Sequence, residues 1–320
     1  MVGAPVLAIV GGMLAGPLAR RRRWAIDPGA RFAGRYVLQA AIVIFGLGLS
    51  LAAVVRIGVS SLPVMLGTLA ACFAVAALAG RALGVPADLR LLIGSGTGIC
   101  GASAIGAIAP VIAAGEAAIG YAMSTIFVFN LLAVLIFPAV GHLLGLDAAS
   151  FGLWAGTAIN DTSSVVAAGY AYSRAAGDEA VAVKLVRALM IIPLVLAVAL
   201  ARHRAPAGDT GGCGVPVRPA AGPSGKERVA GRLRVSRLVP TFIPLFLLAA
   251  AVNTLGLVPD RARDGLGLAA TVALAVAMAG IGLGISTGDL RRSGIRPLLL
   301  GGLLSLTVAV TGLGLQTLFM

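Results

Sequence analysis

The chain reads Gly94-Ser95-Gly96-Thr97-Gly98-Ile99-Cys100-Gly101-Ala102-Ser103 in the middle of a long apolar segment, residues 89–113. Glycine in a helix interior is less favourable than alanine by about 1 kcal/mol, so this run predicts an interruption of the helix. Irregular backbone at membrane depth is tolerated only where protein or a water-filled cavity covers it. The stretch therefore indicates a buried helix break and not an ordinary lipid-facing span.

The same pattern returns later, in Gly156-Thr157-Ala158-Ile159-Asn160-Asp161-Thr162-Ser163-Ser164, within a second apolar segment, residues 151–173. Two corresponding interruptions in one hydrophobic chain are the best sequence indicator of a transporter's binding site. The matched pairs are Gly96 and Gly156, Thr97 and Thr157, Ile99 and Ile159, and Ser103 and Ser163.

Composition places the chain in a membrane. Of its 320 residues, 59% are hydrophobic and only 12% are charged, and the mean hydropathy is +1.00. A soluble domain has roughly 25% charged residues, so a soluble globular protein is excluded. The formal net charge is +13, but the arginines stand at the ends of apolar runs and not in a stripe interleaved with aromatic residues. The charge therefore indicates cytoplasmic loops and no nucleic-acid partner.

The chain carries no motif for enzymatic chemistry. Cys72, Cys100 and Cys213 share no metal-ligand spacing, and no Ser/His/Asp arrangement or P-loop is present. Cys100 lies in the glycine-rich run, where a compact side chain suits close packing. We expect a protein that is not an enzyme, needs no cofactor and is not an ATP-driven pump on its own.

Apolar runs of the length that crosses a bilayer, about 17 to 25 residues, divide the chain into three regions. Residues 1–201 hold both interrupted segments, 202–237 form a basic Pro/Gly-rich linker, and 238–320 hold the last spans. The Arg20–Arg23 run and the linker predict the cytoplasmic side, so the N-terminus is expected outside a bacterial inner membrane. The predicted spans are 2–19, 34–55, 62–83, 117–144, 180–201, 238–258, 265–288 and 297–319.

A second internal similarity constrains the topology. Residues 45–50 resemble residues 281–286, so the region 238–320 repeats the helices of 34–83. Charge bias places Arg56 outside and Arg292 inside, which makes this repeat inverted. The interrupted segments are then either re-entrant hairpins, which make both repeats inverted, or broken full spans. The total is roughly eight to ten spans, and we favour the hairpins.

Two opposed half-helices would create a binding site from backbone alone, near the bilayer midplane. A helix N-terminus presents unpaired N–H groups and about half a positive charge, which favours an anion. The half-helices beginning near Ala102 and Thr162 would both point inward. Their hydroxyl groups could bind a ligand or bond back to the helix carbonyls. The candidate binding residues here are Thr97, Gly98, Cys100, Gly101, Ser103, Thr157, Asn160, Asp161, Thr162 and Ser163.

Ionisable residues add candidates. Asp161 lies deep in an apolar segment, where a charge costs roughly 2.5–3.5 kcal/mol, so we expect it to bind ligand or ion; a helix N-cap is its other role. Asn160 beside it supplies a carbonyl oxygen, so the pair could hold Na⁺, the only metal expected. Lys184 and Arg187 share one helix face. We expect Arg187 to bind the anion, whereas Lys184 either joins it or snorkels to the surface.

These motifs resemble those of a bacterial family of sulfate exporters, over essentially the whole chain. The resemblance implies inverted repeats with crossing broken helices or hairpins, as in transporters similar to cation/proton antiporters and bile-acid symporters. Many such relatives carry His-Glu where this chain has Asn160-Asp161, a pair similar to that of cation/proton antiporters. Relatives often have another apolar segment before residues 2–19. The matching motifs are residues 96–105, 109–112, 151–156, 165–169 and 183–187.

We therefore interpret the chain as an all-α polytopic secondary transporter. Its expected substrate is a small anion such as sulfate, sulfite or a related sulfur oxyanion, coupled to H⁺ or Na⁺. The alternatives are a cation/proton antiporter that uses Asn160 and Asp161 and, less favoured, a membrane scaffold or sensor that transports nothing. The expected partners are the lipid bilayer, the anion and the coupling ion, and a homodimer is compatible with the sequence.

Overall fold

The computed structural model describes residues 7–8, 11–12, 14–16, 27–204, 242–284 and 294–319, and within these ranges the regular structure is helical. Most of the predicted N-terminal span, the Arg20–Arg23 run, Arg292 and nearly all of the linker lie outside the described residues. The helices are α1 (Asp27–Phe32), a π-helical turn (Ala33–Val37), α2 (Leu38–Gly46), α3 (Leu51–Ala82), α4 (Ala87–Ser95), a second π-helical turn (Gly96–Cys100), α5 (Ala102–Ile108), α6 (Glu116–Leu143), α7 (Ala148–Ala158), α8 (Thr162–Tyr172), α9 (Arg174–Leu189), α10 (Ile191–Arg204), α11 (Phe242–Thr254), α12 (Asp260–Gly284) and α13 (Ile295–Phe319).

Four helical stretches among the described residues are long and apolar enough to cross a membrane: Leu51–Ala82, Glu116–Leu143, Arg174–Ala201 and Ile295–Phe319. The third consists of α9 and α10 in succession. Large apolar side chains such as Leu66, Leu78 and Leu306 are exposed on these helices, as expected where lipid covers them. The chain is therefore a membrane-embedded helical protein.

The predicted boundary between spans 34–55 and 62–83 is wrong. Helix α2 ends at Gly46 and α3 begins at Leu51, so Arg56 lies inside a helix and not in a loop. The Ser50 side chain accepts a hydrogen bond from the Ala53 N–H and caps the new helix. The helix then continues through Pro63. The cap and not the proline determines where the helix starts.

The second interrupted segment is a helical hairpin. The end of helix α8 lies beside the start of α7. Two contacts show this: the Tyr172 hydroxyl donates to the Leu146 carbonyl, and the Phe151 and Tyr172 rings stack with centroids 3.9 Å apart. Helix α9 then packs along both arms. A Cβ at Gly156 would lie 2.8 Å from the Ala180 oxygen, and one at Gly169 would lie 2.9 Å from the Gly177 Cα.

The first interrupted segment also folds back. Gly101 has φ +62, a conformation that favours glycine. A Cβ at Gly96 would lie 3.1 Å from the Ile105 Cδ1 atom, whereas nine residues of straight helix would separate the two by about 13 Å. The chain then turns through residues 109–115, where the Ala114 N–H donates to the Ala109 oxygen at 2.9 Å.

The two hairpins open toward opposite ends of the molecule. The first opens beside the C-terminus of α3, where Gly80 packs on Arg90 and a Cβ at Gly84 would lie 3.4 Å from Arg296 Nη1. We call this the arginine end, defined by Arg81, Arg90 and Arg296. Helix α6 leads from this end to the other, where the second hairpin opens beside Asp147, the N-cap of α7. The two helical hairpins therefore open at opposite ends, and their re-entrant placement in a membrane stays a prediction.

Helices α1, α2, α11 and α12 pack on one another at one side of the hairpins. A Cβ at Gly280 would lie 2.7 Å from the Ala33 Cβ, and one at Gly46 would lie 2.9 Å from Phe246. This group joins the second hairpin where the Phe45 and Tyr170 rings stack at 4.2 Å. Both α2 and α12 end within the predicted repeat, residues 45–50 and 281–286. The inverted repeat itself stays a prediction, because residues 285–286 lie outside the described ranges.

Candidate functional site at the hairpin tips

The tips of the two hairpins touch. A Cβ at Gly101 would lie 3.4 Å from the Asp161 Cβ and 3.5 Å from its Cα, so no side chain separates the two breaks. The second break is extended backbone, with Ile159 at ψ 132 and Asp161 at ψ 143. The two glycine-rich runs therefore meet in space, and their role as one binding site stays a prediction. We call the contact between Gly101 and Asp161, with its flanking residues, the crossing.

Two cations on α9 bond to the carbonyl groups that the breaks leave unpaired. The Lys184 Nζ donates to the Ile99 oxygen and to the Ile159 oxygen, both at 2.8 Å, and thus bridges the hairpins. The Arg187 Nε donates to the Gly98 oxygen at 2.8 Å. Lys184 is 0% exposed and Arg187 is 1% exposed. The alternative that Lys184 snorkels to the surface is therefore wrong.

This arrangement has a simple electrostatic reason. The C-terminal end of a helix carries about half a negative charge on unpaired carbonyls, and here two such ends lie inside the protein. A cation there is stabilised by the helix ends and offsets the cost of leaving their carbonyls unsatisfied. The negative ends of the inner half-helices thus have built-in cationic partners. At the N-terminal ends of the returning half-helices, Asp161 caps α8, and α5 has no side-chain cap.

Asp161 is the N-cap of α8. Its Oδ2 atom accepts from the Ser163 N–H at 2.9 Å and from the Ser163 hydroxyl. The Asp161 N–H donates to Asn130 Oδ1 on α6 at 3.1 Å. The expected capping role of Asp161 is thus confirmed, and Asn130 on α6 also belongs to the crossing. Asp161 also lies within electrostatic range of Lys184.

The hydroxyl groups divide into two classes. Ser95 and Thr157 bond back to carbonyls of their own helices, Ser95 to Leu91 at 2.7 Å and Thr157 to Leu153 at 2.8 Å. Thr97 is buried, and its hydroxyl has no hydrogen-bond partner among the described residues. The expectation that the Thr157 hydroxyl binds a ligand is therefore wrong, because that hydroxyl is used within its own helix.

Accessibility also differs between the two sides of the crossing. The inner half-helices are buried up to Cys100 and Asn160. The starts of the returning half-helices are open, since Ser103 is exposed and Asp161, Thr162 and Ser163 are partly exposed. The N-terminal ends of the returning half-helices therefore lie nearer the surface than the ends of the inner half-helices.

Three side chains at the crossing hold buried polar atoms without partners among the described residues: Thr97 Oγ1, Asn160 Oδ1 and the Arg187 Nη1 and Nη2 atoms. Cys100 is a buried free thiol, which suits the packing role expected of it. No cluster of three or more His, Cys, Asp or Glu side chains suited to a metal ion exists in the described part of the chain. These unpaired polar atoms could bind a small ion or water.

Comparison with known proteins identifies relatives along the whole chain. The family model of conserved hypothetical protein 698 matches residues 1–301. A UPF0324 membrane protein of Clostridium tetani is 35% identical over 320 residues, covering 99% of this chain and 89% of the relative. A UPF0324 membrane protein of Streptococcus pyogenes serotype M6 is 35% identical over 326 residues, with 99% and 90% covered. One from Streptococcus pneumoniae serotype 4 is 46% identical over 200 residues, with 61% and 59% covered. No solved structure matches the chain significantly.

Proposed function

The chain belongs to the conserved hypothetical protein 698 family of membrane proteins, and we propose that it is a secondary transporter of a small anion. The substrate class we propose is sulfate, sulfite or a related sulfur oxyanion, moved with H⁺ or Na⁺. The resemblance to sulfate exporters supports the substrate, and the geometry of the crossing supports the mechanism. In this proposal the chain binds and releases its substrate without changing it chemically, so it is not an enzyme.

One observation carries the proposal: the negative helix ends at the crossing bond to two fixed cations, whereas the N-terminus of α8 has only the ionisable Asp161 carboxylate as its cap and that of α5 has no side-chain cap. Lys184 and Arg187 bond to the carbonyls of residues 98, 99 and 159. Formal charges of +1 on each cation are offset by −1 on an ionised Asp161 and by about half a negative charge at each of the two helix C-terminal ends. The accessible N-terminus of α8 adds about half a charge. The crossing is therefore electrostatically incomplete without an anion.

Asp161 supplies the coupling in this mechanism. An ionised carboxylate at the N-terminus of α8 competes with an anion for the same N–H groups, since it already accepts from the Ser163 N–H. Neutralising Asp161 with a proton or with Na⁺ removes that competition and lets the anion bind. Ionisation of Asp161 then favours release, which links the two fluxes.

A specific observation favours the cation/proton antiporter as the second candidate. Asn160 Oδ1 is buried without a partner among the described residues, and it adjoins the Asp161 carboxylate. A carbonyl oxygen beside a carboxylate is a suitable ligand pair for Na⁺. In that mechanism the cation on Asp161 is itself the substrate. A scaffold or sensor that transports nothing needs neither the crossing nor its buried cations.

The membrane orientation is part of the proposal. The arginine end faces the cytoplasm by the positive-inside rule, so the second hairpin, beside Asp147, opens outward. The hairpins are then re-entrant from opposite sides and related by an inverted repeat, with the crossing near the midplane of a bacterial inner membrane. Both hairpin tips contribute to one site that either face could reach in turn.

The test is flux into proteoliposomes containing the full chain, with labelled sulfate or sulfite and an imposed pH or Na⁺ gradient. Wild-type protein should accumulate anion when either gradient is imposed. Asp161→Asn, which mimics the neutral carboxyl, should still exchange anion but should no longer respond to the gradient. Asp147→Asn is the matched control, because Asp147 also caps a helix, accepting from the Ser150 N–H at 2.7 Å, but is exposed. Its flux should equal that of the wild type.

Two outcomes would contradict the anion mechanism. Wild-type protein that moves neither anion with any gradient would refute transport of this substrate class. Cation binding that is lost in Asp161→Asn, with no anion flux in either protein, would instead establish the antiporter.

A further inference from the structure

We propose that Arg187 and Thr97 form an occluded oxyanion subsite beside the crossing. Its donors are the Arg187 Nη1 and Nη2 atoms and the Thr97 hydroxyl. The ligand is an anion that presents two oxygen atoms to the guanidinium fork, as a sulfonate, sulfite or sulfate does. This inference deepens the proposed transport function and rests on it for the identity of the anion.

The first observation is an incompletely used guanidinium. Arg187 is 1% exposed, and its Nε–H donates to the Gly98 oxygen at 2.8 Å. Its Nη1 and Nη2 atoms are buried and lack partners among the described residues. Burying charged donors without partners costs several kcal/mol. A polar ligand that joins Nη1 and Nη2 removes that cost, and an oxyanion also balances the charge.

The second observation is independent and lies on the neighbouring residue. Thr97 precedes Gly98, is 1% exposed, and its hydroxyl is unpaired among the described residues. Its counterpart Thr157 bonds back to the Leu153 oxygen at 2.8 Å. A buried threonine hydroxyl in a helix ordinarily bonds back in this way. The Thr97 hydroxyl lies in the π-helical turn Gly96–Cys100 and remains available to a ligand.

The chemistry of these donors selects the ligand class. A guanidinium presents parallel N–H donors that match two oxygens of one anion, which a spherical halide cannot reproduce. Lys184 adds positive charge nearby, with two of its three N–H donors bonded to the Ile99 and Ile159 oxygens. Gly98, which bonds to Arg187, and Gly101 at the crossing are three residues apart in one hairpin tip, so the subsite adjoins the crossing along the chain.

The experiment measures anion binding by calorimetry to the full chain in lipid nanodiscs. The probes are methanesulfonate and chloride, which carry equal charge but differ in oxygen atoms. Wild-type protein should bind methanesulfonate at least about tenfold more tightly than chloride. Thr97→Val, which removes the hydroxyl and keeps the shape, should weaken methanesulfonate binding about tenfold. Thr157→Val is the matched control and should change affinity less than about twofold, because its hydroxyl is used within its own helix.

Arg187→Lys gives a second, independent readout. It keeps the charge and removes the fork, so the preference for methanesulfonate over chloride should disappear. Equal affinity of the wild type for the two probes, or equal effects of Thr97→Val and Thr157→Val, would overturn the subsite and assign its atoms to bound water. If Arg187→Lys fails to fold, the comparison of the two threonine variants decides alone. Two outcomes separate the subsite from the transport function. If the protein carries out anion flux and Thr97→Val binds methanesulfonate as the wild type does, only the subsite is refuted. If methanesulfonate binding depends on the guanidinium fork but no flux occurs, only transport is refuted.

Discussion

Replacing Lys184 by methionine tests whether one buried ammonium holds the two hairpins together. Lys184 Nζ donates to Ile99 and Ile159, one oxygen from each hairpin and both at 2.8 Å. Methionine keeps the length and the apolar part of the side chain but has no donor. The substitution therefore leaves two carbonyl groups at buried helix ends without their partner.

The magnitude follows from these two bonds. A hydrogen bond to a charged group contributes about 1.5–3 kcal/mol, so the pair contributes about 3–6 kcal/mol before other terms. Removing a buried ammonium also removes its desolvation cost, which offsets part of the loss. We expect a net destabilisation of about 2–4 kcal/mol. At roughly 2–4 °C per kcal/mol for a protein somewhat smaller than this one, Tm should fall by at least about 4 °C.

The assay is thermal unfolding of the purified chain in one detergent, followed by tryptophan fluorescence, since Trp154 lies in the second hairpin. The control is Leu185→Met, a volume-conserving change at the next buried position of α9, which should cost under about 1.5 kcal/mol. If Lys184→Met unfolds within about 2 °C of Leu185→Met, the ammonium does not hold the hairpins and the reasoning fails.

Two further predictions concern the hairpins themselves. In a background without other cysteines, Leu144→Cys and Ala175→Cys should be labelled from one membrane face and Ala87→Cys from the other; labelling of the first two from opposite faces would exclude the second hairpin. Gly156→Ala should destabilise the protein by about 1–3 kcal/mol, because its Cβ would lie 2.8 Å from a backbone oxygen of α9. Gly120→Ala, where a Cβ meets nothing within 4 Å, should instead stabilise α6 by up to about 1 kcal/mol, and equal melting temperatures of the two variants would contradict the packing.

The sequence by itself determined the membrane class, the two helix breaks and the residues at their tips. Apolar runs and sparse charge require a lipid environment whatever the tertiary arrangement, because they follow from transfer free energies residue by residue. Glycine-rich runs weaken a helix locally, so Gly101 and the break before Asp161 were predictable. The aspartate's capping role was also accessible from sequence, since an N-cap depends on residues two or three positions away.

Only the tertiary structure decided what the buried cations do. Lys184 and Arg187 are distant in sequence from residues 98 and 99, and a bond between a side chain and a remote carbonyl leaves no trace in a local pattern. The same is true of Thr97 and Thr157, whose positions match in sequence. One hydroxyl bonds within its own helix and the other lies unpaired in a π-helical turn. Packing between helices determines donor–acceptor distances to within a few tenths of an ångström. Those distances decide whether a hydroxyl bonds within its own helix or stays available to a ligand.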